Sequence, residues 1–236
     1  MFKKRSVFIL AALLVVATLV LVGCTGEEVE ETDASLLEDG EYVGYSQASA
    51  RGYVEALVTI EGDEIVAVEL TEYQLQPGEA KGEDYHYEAW HEAMDILPDS
   101  FVEANDSEVD IVSGATSTTN MSMEAVDMAL QKAQGVTEFD GTYAAFTDKN
   151  ERGSHFVAWV TVEDGDIIEV ELNESRDGEY KPDDYQHEAY NEARVEQAAR
   201  KVSANSADVD VYSGATGSSN GWIEAAELAL EKAGLK

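Results

Sequence analysis

Two short runs of small and hydroxyl-bearing residues are the part of this sequence most suited to chemistry. They lie 100 residues apart, and each is followed by a segment with helical periodicity. Free backbone amides and the positive end of a helix dipole favour a phosphate group at such a place. The sequence therefore indicates two phosphate-binding sites. The runs are Ser113-Gly114-Ala115-Thr116 and Ser213-Gly214-Ala215-Thr216.

Neither run is a Walker P-loop, because no lysine follows the glycine. The plain alternative is a helix N-cap made of serine and threonine, which any helix can have. Two copies in matching flanks favour the phosphate site over that alternative. Asn120 or Asn220 is expected to cap the helix that follows, with Glu124 or Glu224 in its first turn.

The flanks of the two runs repeat as well. Residues 84–93 match residues 184–193, and residues 109–116 match residues 209–216, again at an offset of 100. A period this long exceeds the unit of a solenoid, so it indicates two tandem domains from a duplication. We divide the chain into a signal peptide, an acidic tether and two domains. Their bounds are 1–23, 24–38, 39–135 (domain 1) and 136–236 (domain 2).

Each repeat predicts the same order of elements. A strand near Tyr42 or Tyr143 precedes a hairpin, in which apolar residues alternate on both sides of an Asp/Gly turn. A helix is predicted from near Asp84 or Asp184, then a short strand over 109–112 or 209–212, then an amphipathic helix. This order predicts an α+β fold: a small, mostly antiparallel sheet with packed helices in each domain.

The N-terminus has the pattern of an export signal. Lys3, Lys4 and Arg5 precede an apolar run that ends in Leu-Val-Gly-Cys at Cys24. This ending resembles a bacterial lipobox, which implies that Cys24 is diacylated and becomes the first residue. Two acyl chains hold a protein stably on a membrane. We therefore expect a lipid-anchored protein on the extracellular face of the cell membrane.

The net charge restricts the possible partners. Removal of residues 1–23 takes away three basic residues and no acidic one, which leaves 12 basic against 49 acidic residues, a net charge of −37. Such a chain repels nucleic acid, so we expect no nucleic-acid partner. Cys24 is the only cysteine, so thiol catalysis is not expected after lipidation.

The segment Asp110–Thr116 resembles the flavinylation motif of FMN-binding domains. That family includes the C-type subunit of sodium-pumping NADH:quinone reductases and the G-type subunit of the related ferredoxin-linked complexes. The resemblance implies that a flavin transferase esterifies FMN phosphate to Thr116, and to Thr216 in the second copy. It also implies that Asp110 and Asp210 belong to the motif that the transferase recognises. Thr118 is an alternative acceptor.

With its lipobox, the whole chain resembles two-domain flavinylated lipoproteins of Gram-positive bacteria. That resemblance implies electrons from a membrane NADH dehydrogenase through quinone, and extracellular acceptors such as ferric iron. A true reductase with one specific acceptor is a variant of this hypothesis. A flavin-free surface binding or adhesion protein is the alternative from another class.

The aromatic and histidine residues outside the two runs give weaker indications of a binding site. Tyr85, Tyr87 and Trp90 could stack on a flavin ring, although aromatic residues at helical spacing more often fill a core. His86 and His91 have only His187 as a counterpart in the second repeat, so we expect no shared metal site. No Ser-His-Asp or Cys-His arrangement is apparent, so we expect no catalytic acid, base or nucleophile.

Overall fold

The computed structural model describes residues 37–236, so the signal peptide, Cys24 and most of the acidic tether lie outside the described residues. The described part folds as two successive sets of four strands and two helices. In the first set these are β1 Gly40–Tyr45, β2 Gly52–Glu61, β3 Glu64–Gln74, β4 Glu79–Ala80, α1 Glu88–Ala104 and α2 Thr116–Ala133. In the second they are β5 Gly141–Phe146, β6 Ser154–Glu163, β7 Asp166–Arg176, β8 Glu179–Tyr180, α3 Glu188–Ala204 and α4 Thr216–Lys232.

Each domain has one four-stranded antiparallel sheet whose strands lie in chain order. The central hairpins turn on two residues with positive φ: Gly62 and Asp63 at 63° and 68°, and Asp164 and Gly165 at 54° and 78°. Positive φ at both central residues matches the twist of the strands on either side. The predicted hairpins and the predicted α+β class are therefore confirmed.

The last helix of each domain covers its sheet. In domain 1 the residues of β2 that face α2 are fully buried: Val54, Ala56, Val58 and Ile60. A β-carbon on Gly44 would lie only 2.0 Å from the Ala125 carbonyl oxygen of α2, so only glycine permits this close approach. The motif at the start of α2 is thereby fixed against the sheet.

An asparagine ends the first helix of each domain. Asn105 has φ 51° and Asn205 has φ 48°, the left-handed conformation that asparagine tolerates better than most residues. The side-chain oxygen of each accepts a hydrogen bond of 2.7 Å from the start of the returning hairpin strand, at Ile65 or Ile167. This bond fixes the first helix to the hairpin.

Two details of the prediction are wrong. Residues 109–112 and 209–212 form no strand, and the first helices begin at Glu88 and Glu188, four residues later than predicted. Val109 and Val112 are half-buried against the core. The Val112 N–H donates to the Thr119 hydroxyl and not to a strand. Apolar alternation there reflects packing, which looks the same as a strand in sequence.

The two domains pack against each other through a small buried cluster. The Ala48 N–H also donates to the Thr142 carbonyl across this boundary, at 2.7 Å. No helix within residues 37–236 has the length and apolar character needed to cross a membrane. The cluster consists of Tyr53, Leu75, Ala144 and Val157.

Candidate functional site

The Ser-Gly-Ala-Thr run forms a tight turn that leads into the last helix of each domain. Gly114 and Gly214 have φ of 82° and 86°. A β-carbon on either would also lie 3.1 or 3.2 Å from the alanine of the neighbouring helix, Ala89 or Ala189. The positive φ therefore favours glycine at both positions, and a β-carbon would also require a small shift of the neighbouring alanine.

A buried hydroxyl one turn into the helix holds this turn in place. The Thr119 hydroxyl donates to the Ala115 carbonyl at 3.1 Å and accepts from the Val112 N–H at 3.3 Å. Ser219 makes the same two bonds, to Ala215 and from Tyr212, both at 3.0 Å. Sequence reasoning missed this role, although a hydroxyl recurs at the position in both repeats.

The helix that follows starts without a side-chain cap. Ala115 and Ala215 occupy the N-cap positions, and no side chain among residues 37–236 caps either helix there. The expected caps are wrong, because the helices start at Thr116 and Thr216 and place Asn120 and Asn220 inside them. N–H groups of the first turn therefore remain available to an anion.

The motif threonines lie at the surface in both domains. Thr116 and Thr216 are exposed, and so are Ser113 and Ser213, whereas Ala115 and Ala215 are buried. Thr118 is buried, and its hydroxyl donates to the Glu72 carboxylate at 3.0 Å. The alternative acceptor is therefore already occupied.

A cleft of about 640 Å³ opens beside the first run, and we call it cleft 1. Gly114, Ala115 and Ser117 form one side of it. Aromatic side chains form much of the rest, and the Tyr87 hydroxyl donates to the Gly114 carbonyl at 2.9 Å. The aromatic residues that line it are Tyr73, Tyr85, His86, Tyr87 and Trp90.

A buried ion pair lies in the same cleft. Lys81 donates to Glu72 at 2.6 Å, and the lysine nitrogen lies 4.2 Å from the centre of the Tyr85 ring. Glu72 also accepts from the Trp90 indole at 2.8 Å and from Thr118, so its charge is compensated on three sides. Sequence reasoning missed this pair, which recurs in domain 2 as Glu174 and Lys181 at 2.5 Å.

Cleft 2, beside the second run, has about 610 Å³ and a different lining. The second ion pair is present, but Phe156 is the one aromatic residue among the lining residues that the structure describes. Small and polar residues take the place of the others. These include Asn150, Arg152, Gly217, Ser218, Asn220 and Gly221.

The motif aspartates lie outside both clefts. Asp110 is exposed and borders a shallow surface pocket with Ser100 and Glu103. The Asp210 carbonyl accepts bonds from Gln197 and Arg200 of α3, while its side chain is at the surface. Gly114 and Ala115 line cleft 1, whereas the described lining of cleft 2 includes Gly217, the residue after Thr216, and none of residues 213–216. Both motif carboxylates face solvent.

Other residues of interest have structural contacts. His91 bonds the Tyr85 carbonyl through its ring nitrogen at 2.5 Å. Within residues 37–236 no group of three histidine, cysteine or acidic side chains is arranged to hold a metal ion. A larger cavity of about 750 Å³ lies between β7 and α3, and its described lining includes no residue of either motif.

The arrangement fits a phosphate joined to a flat aromatic group. The uncapped helix start suits the phosphate, and the aromatic walls of cleft 1 suit a ring. A family model described as FMN-binding domain matches residues 50–131 and 153–231. Among curated proteins, none matches the chain significantly.

One solved structure, titled "Crystal Structure of CPE2226 protein from Clostridium perfringens", is 27% identical to this chain. The match covers 41% of this chain and 88% of that chain, with a TM-score of 0.36.

Proposed function

This chain belongs to the FMN-binding domain family, and on that premise we propose that it carries electrons on two covalently attached FMN groups. The family match covers both domains and supports a flavoprotein of electron transfer. The proposal adds the number of cofactors, the bond to Thr116 and Thr216, and the position on the cell surface.

One observation carries the proposal. In both domains an exposed threonine is the first residue of an uncapped helix, and the residue that follows it, Ser117 or Gly217, lines a cleft. The hydroxyl is free to form a phosphoester, and the first-turn N–H groups can bond the remaining phosphate oxygens. A helix that needed only a stable start would have a serine, threonine or aspartate at its N-cap in place of Ala115 or Ala215.

The chain's residues would then orient the cofactor. When bound, FMN supplies reversible electron transfer at its isoalloxazine ring. In cleft 1, Tyr85 and Tyr87 line the wall beside the motif, and Lys81 has three N–H donors, so it can donate to a bound ring while it stays paired with Glu72. The mostly polar lining of cleft 2 leaves the second ring more exposed to water.

A covalent bond suits a protein outside the cell. A noncovalent site loses its cofactor when the free concentration falls below the dissociation constant, and no cytoplasmic pool replaces it there. Lipidation at Cys24 would keep the protein at the membrane. We propose electron input from a membrane quinone-linked dehydrogenase and output to extracellular acceptors such as ferric iron.

The attaching enzyme is also part of the proposal. Asp110 and Asp210 are exposed and lie outside the clefts. A flavin transferase could therefore contact them from solvent while it delivers FMN to the threonine. This placement supports a role in recognition by the transferase over a role in holding the ring.

The decisive experiment is intact mass and visible absorbance after co-expression with a flavin transferase. We expect two FMN adducts in the wild type, one in Thr116→Ala, one in Thr216→Ala and none in the double variant. Ser117→Ala is the matched control, since Ser117 is an exposed hydroxyl in the same turn, and it should keep both adducts. A wild-type mass without any flavin would favour the flavin-free binding or adhesion protein.

A further inference from the structure

The connection between β3 and β4 is longer than its counterpart in domain 2. It has four residues, 75–78, whereas the connection between β7 and β8 has two, 177–178. Exposed connections tolerate such insertions easily. This insertion is different, because Leu75 is fully buried in the cluster between the domains.

Two side chains of domain 2 hold this connection. His155 on β6 and Ser175 on β7 lie directly opposite each other in the sheet. A ring nitrogen of His155 bonds the Leu75 carbonyl at 2.9 Å, and the Ser175 hydroxyl donates to the Gln76 carbonyl. Both side chains are at most 1% exposed, so either of these polar groups would be left unsatisfied in the interior if its bond were lost.

The fit around the connection is close as well. A β-carbon on Gly78 would lie 2.7 Å from the His155 ring, and Gly78 has φ 66°. Burial lowers the pKa of His155, so the ring is neutral at neutral pH. A neutral ring that donates from Nε2 satisfies the Leu75 carbonyl, while Nδ1 has no hydrogen-bond partner among residues 37–236.

The same connection forms a wall of cleft 1. Gln76 and Pro77 line that cleft, together with Gly178 from the β7–β8 turn of domain 2. The described lining of cleft 2, in contrast, comes from domain 2 alone. Successive residues of a strand face opposite sides, so His155 and Ser175 face domain 1 while Phe156 and Glu174 face cleft 2.

We infer that His155 and Ser175 are positioning residues for the first flavin site, so that domain 2 completes the site of domain 1 and not the reverse. They act through Gln76 and Pro77. The inference rests on the proposed function for its flavin, but the positioning of the wall belongs to the polypeptide and can be tested without one.

The first test uses the full chain produced without the flavin transferase. Ser175→Ala and His155→Phe each remove one donor, and Phe keeps the volume of a ring. We expect faster hydrogen exchange at Leu75 and Gly78, whose N–H groups donate to Arg51 and Gln74. The control is Ser154→Ala, equally buried on β6, whose hydroxyl makes no bond to the connection among the described residues. Unchanged exchange in both donor variants would overturn the inference.

The second test isolates each flavin. In the Thr216→Ala background, Ser175→Ala should increase the acrylamide quenching of flavin fluorescence, because the wall of cleft 1 loosens. In the Thr116→Ala background the same substitution should leave quenching unchanged. Equal increases at both sites would show general destabilisation and would refute a site-specific role. If His155→Phe fails to fold, Ser175→Ala, which removes a single oxygen atom, decides.

The two proposals fail differently. If the protein never acquires flavin, the proposed function is wrong, but the hydrogen-exchange test of the β3–β4 connection still applies. If the protein is flavinylated but neither substitution changes the quenching of the first flavin, only the inference about His155 and Ser175 is wrong.

Discussion

The two domains share one frame and differ in what faces the motif. In both, a left-handed glycine, a buried alanine and a buried hydroxyl place a threonine at an uncapped helix start. In front of that threonine, cleft 1 has five aromatic or imidazole rings, whereas cleft 2 has Phe156 with small and polar residues. The same helix start therefore has a different chemical environment in each domain.

The domain boundary shows the same divergence. His155 and Ser175 form hydrogen bonds to the β3–β4 connection of domain 1. In the domain 1 sheet the corresponding positions are Tyr53 and Tyr73. Those tyrosines stack on each other with ring centres 5.1 Å apart, and they contact Lys232 from domain 2. Matching positions in the two sheets therefore make different contacts across the domain boundary.

The largest expected effect concerns Lys232. Its nitrogen lies 3.4 Å from the centre of the Tyr53 ring, and burial lowers its pKa from 10.5 to about 7, with Glu55 acting in the opposite direction. Between pH 7 and pH 10.5, Lys232 is protonated in the unfolded chain but has lost its proton in the folded chain. The contribution of Lys232 to stability therefore rises with pH, by up to about 1.4 kcal/mol per pH unit.

Urea unfolding from pH 6 to 10 tests this effect. The unfolding free energy of Lys232→Met, relative to that of the wild type, should be highest at or below pH 7. This difference should decrease as the pH rises. The counterpart Lys132 donates to the Val43 carbonyl at 2.7 Å, so Lys132→Met should show a weaker pH dependence. A pH-independent difference for Lys232→Met would show that the charge is not buried in solution.

The next effect separates two matching aromatic residues. The Trp90 indole donates to Glu72, whereas the buried Tyr190 hydroxyl finds no hydrogen-bond partner within residues 37–236. Trp90→Phe should cost about 1–3 kcal/mol of unfolding free energy, since a buried carboxylate loses a donor. Tyr190→Phe should be nearly neutral. If chemical unfolding showed equal losses of unfolding free energy for Trp90→Phe and Tyr190→Phe, Glu72 and Glu174 would have equivalent environments and this prediction would be wrong.

The glycines of the two motifs should respond alike. Gly114→Ala and Gly214→Ala each place a β-carbon in a left-handed conformation, at a cost of about 1–2 kcal/mol. We also expect reduced flavin attachment at the altered site alone, measured by intact mass. Loss at one glycine but not the other would show that the two frames are not equivalent.

The smallest effect concerns the buried hydroxyls behind the motifs. Thr119→Val and Ser219→Ala should each cost about 1 kcal/mol, the net value of a buried hydrogen bond. Thr119→Ser keeps both bonds and should stay close to the wild type. Thermal unfolding measures all three, and a destabilised Thr119→Ser would assign the role to the methyl group instead.

Local patterns in the sequence were enough for much of the frame. The Asp/Gly pair between alternating apolar residues predicts the hairpin, because the turn and the alternation are local properties. The repeat predicts two equal domains. The Ser-Gly-Ala-Thr run also indicates where an anion binds.

Other features depend on contacts between distant segments. Residues 109–112 look like a strand because their apolar residues pack on the core, and nothing local shows that no strand pairs with them. Asn120 looks like a cap, but the helix already starts at Thr116, four residues before Asn120. Trp90 and Thr118 reach the Glu72 carboxylate only after both helices have packed against the sheet.

The amino-acid sequence alone therefore determined the repeat, the hairpins and the chemistry of the motif, since these depend on short-range backbone preferences and residue type. Only the tertiary structure decided the lining of each cleft and the hydrogen bonds from His155 and Ser175 to the β3–β4 connection. Such contacts join residues about 80 to 100 positions apart, and their geometry follows from packing that no local pattern encodes.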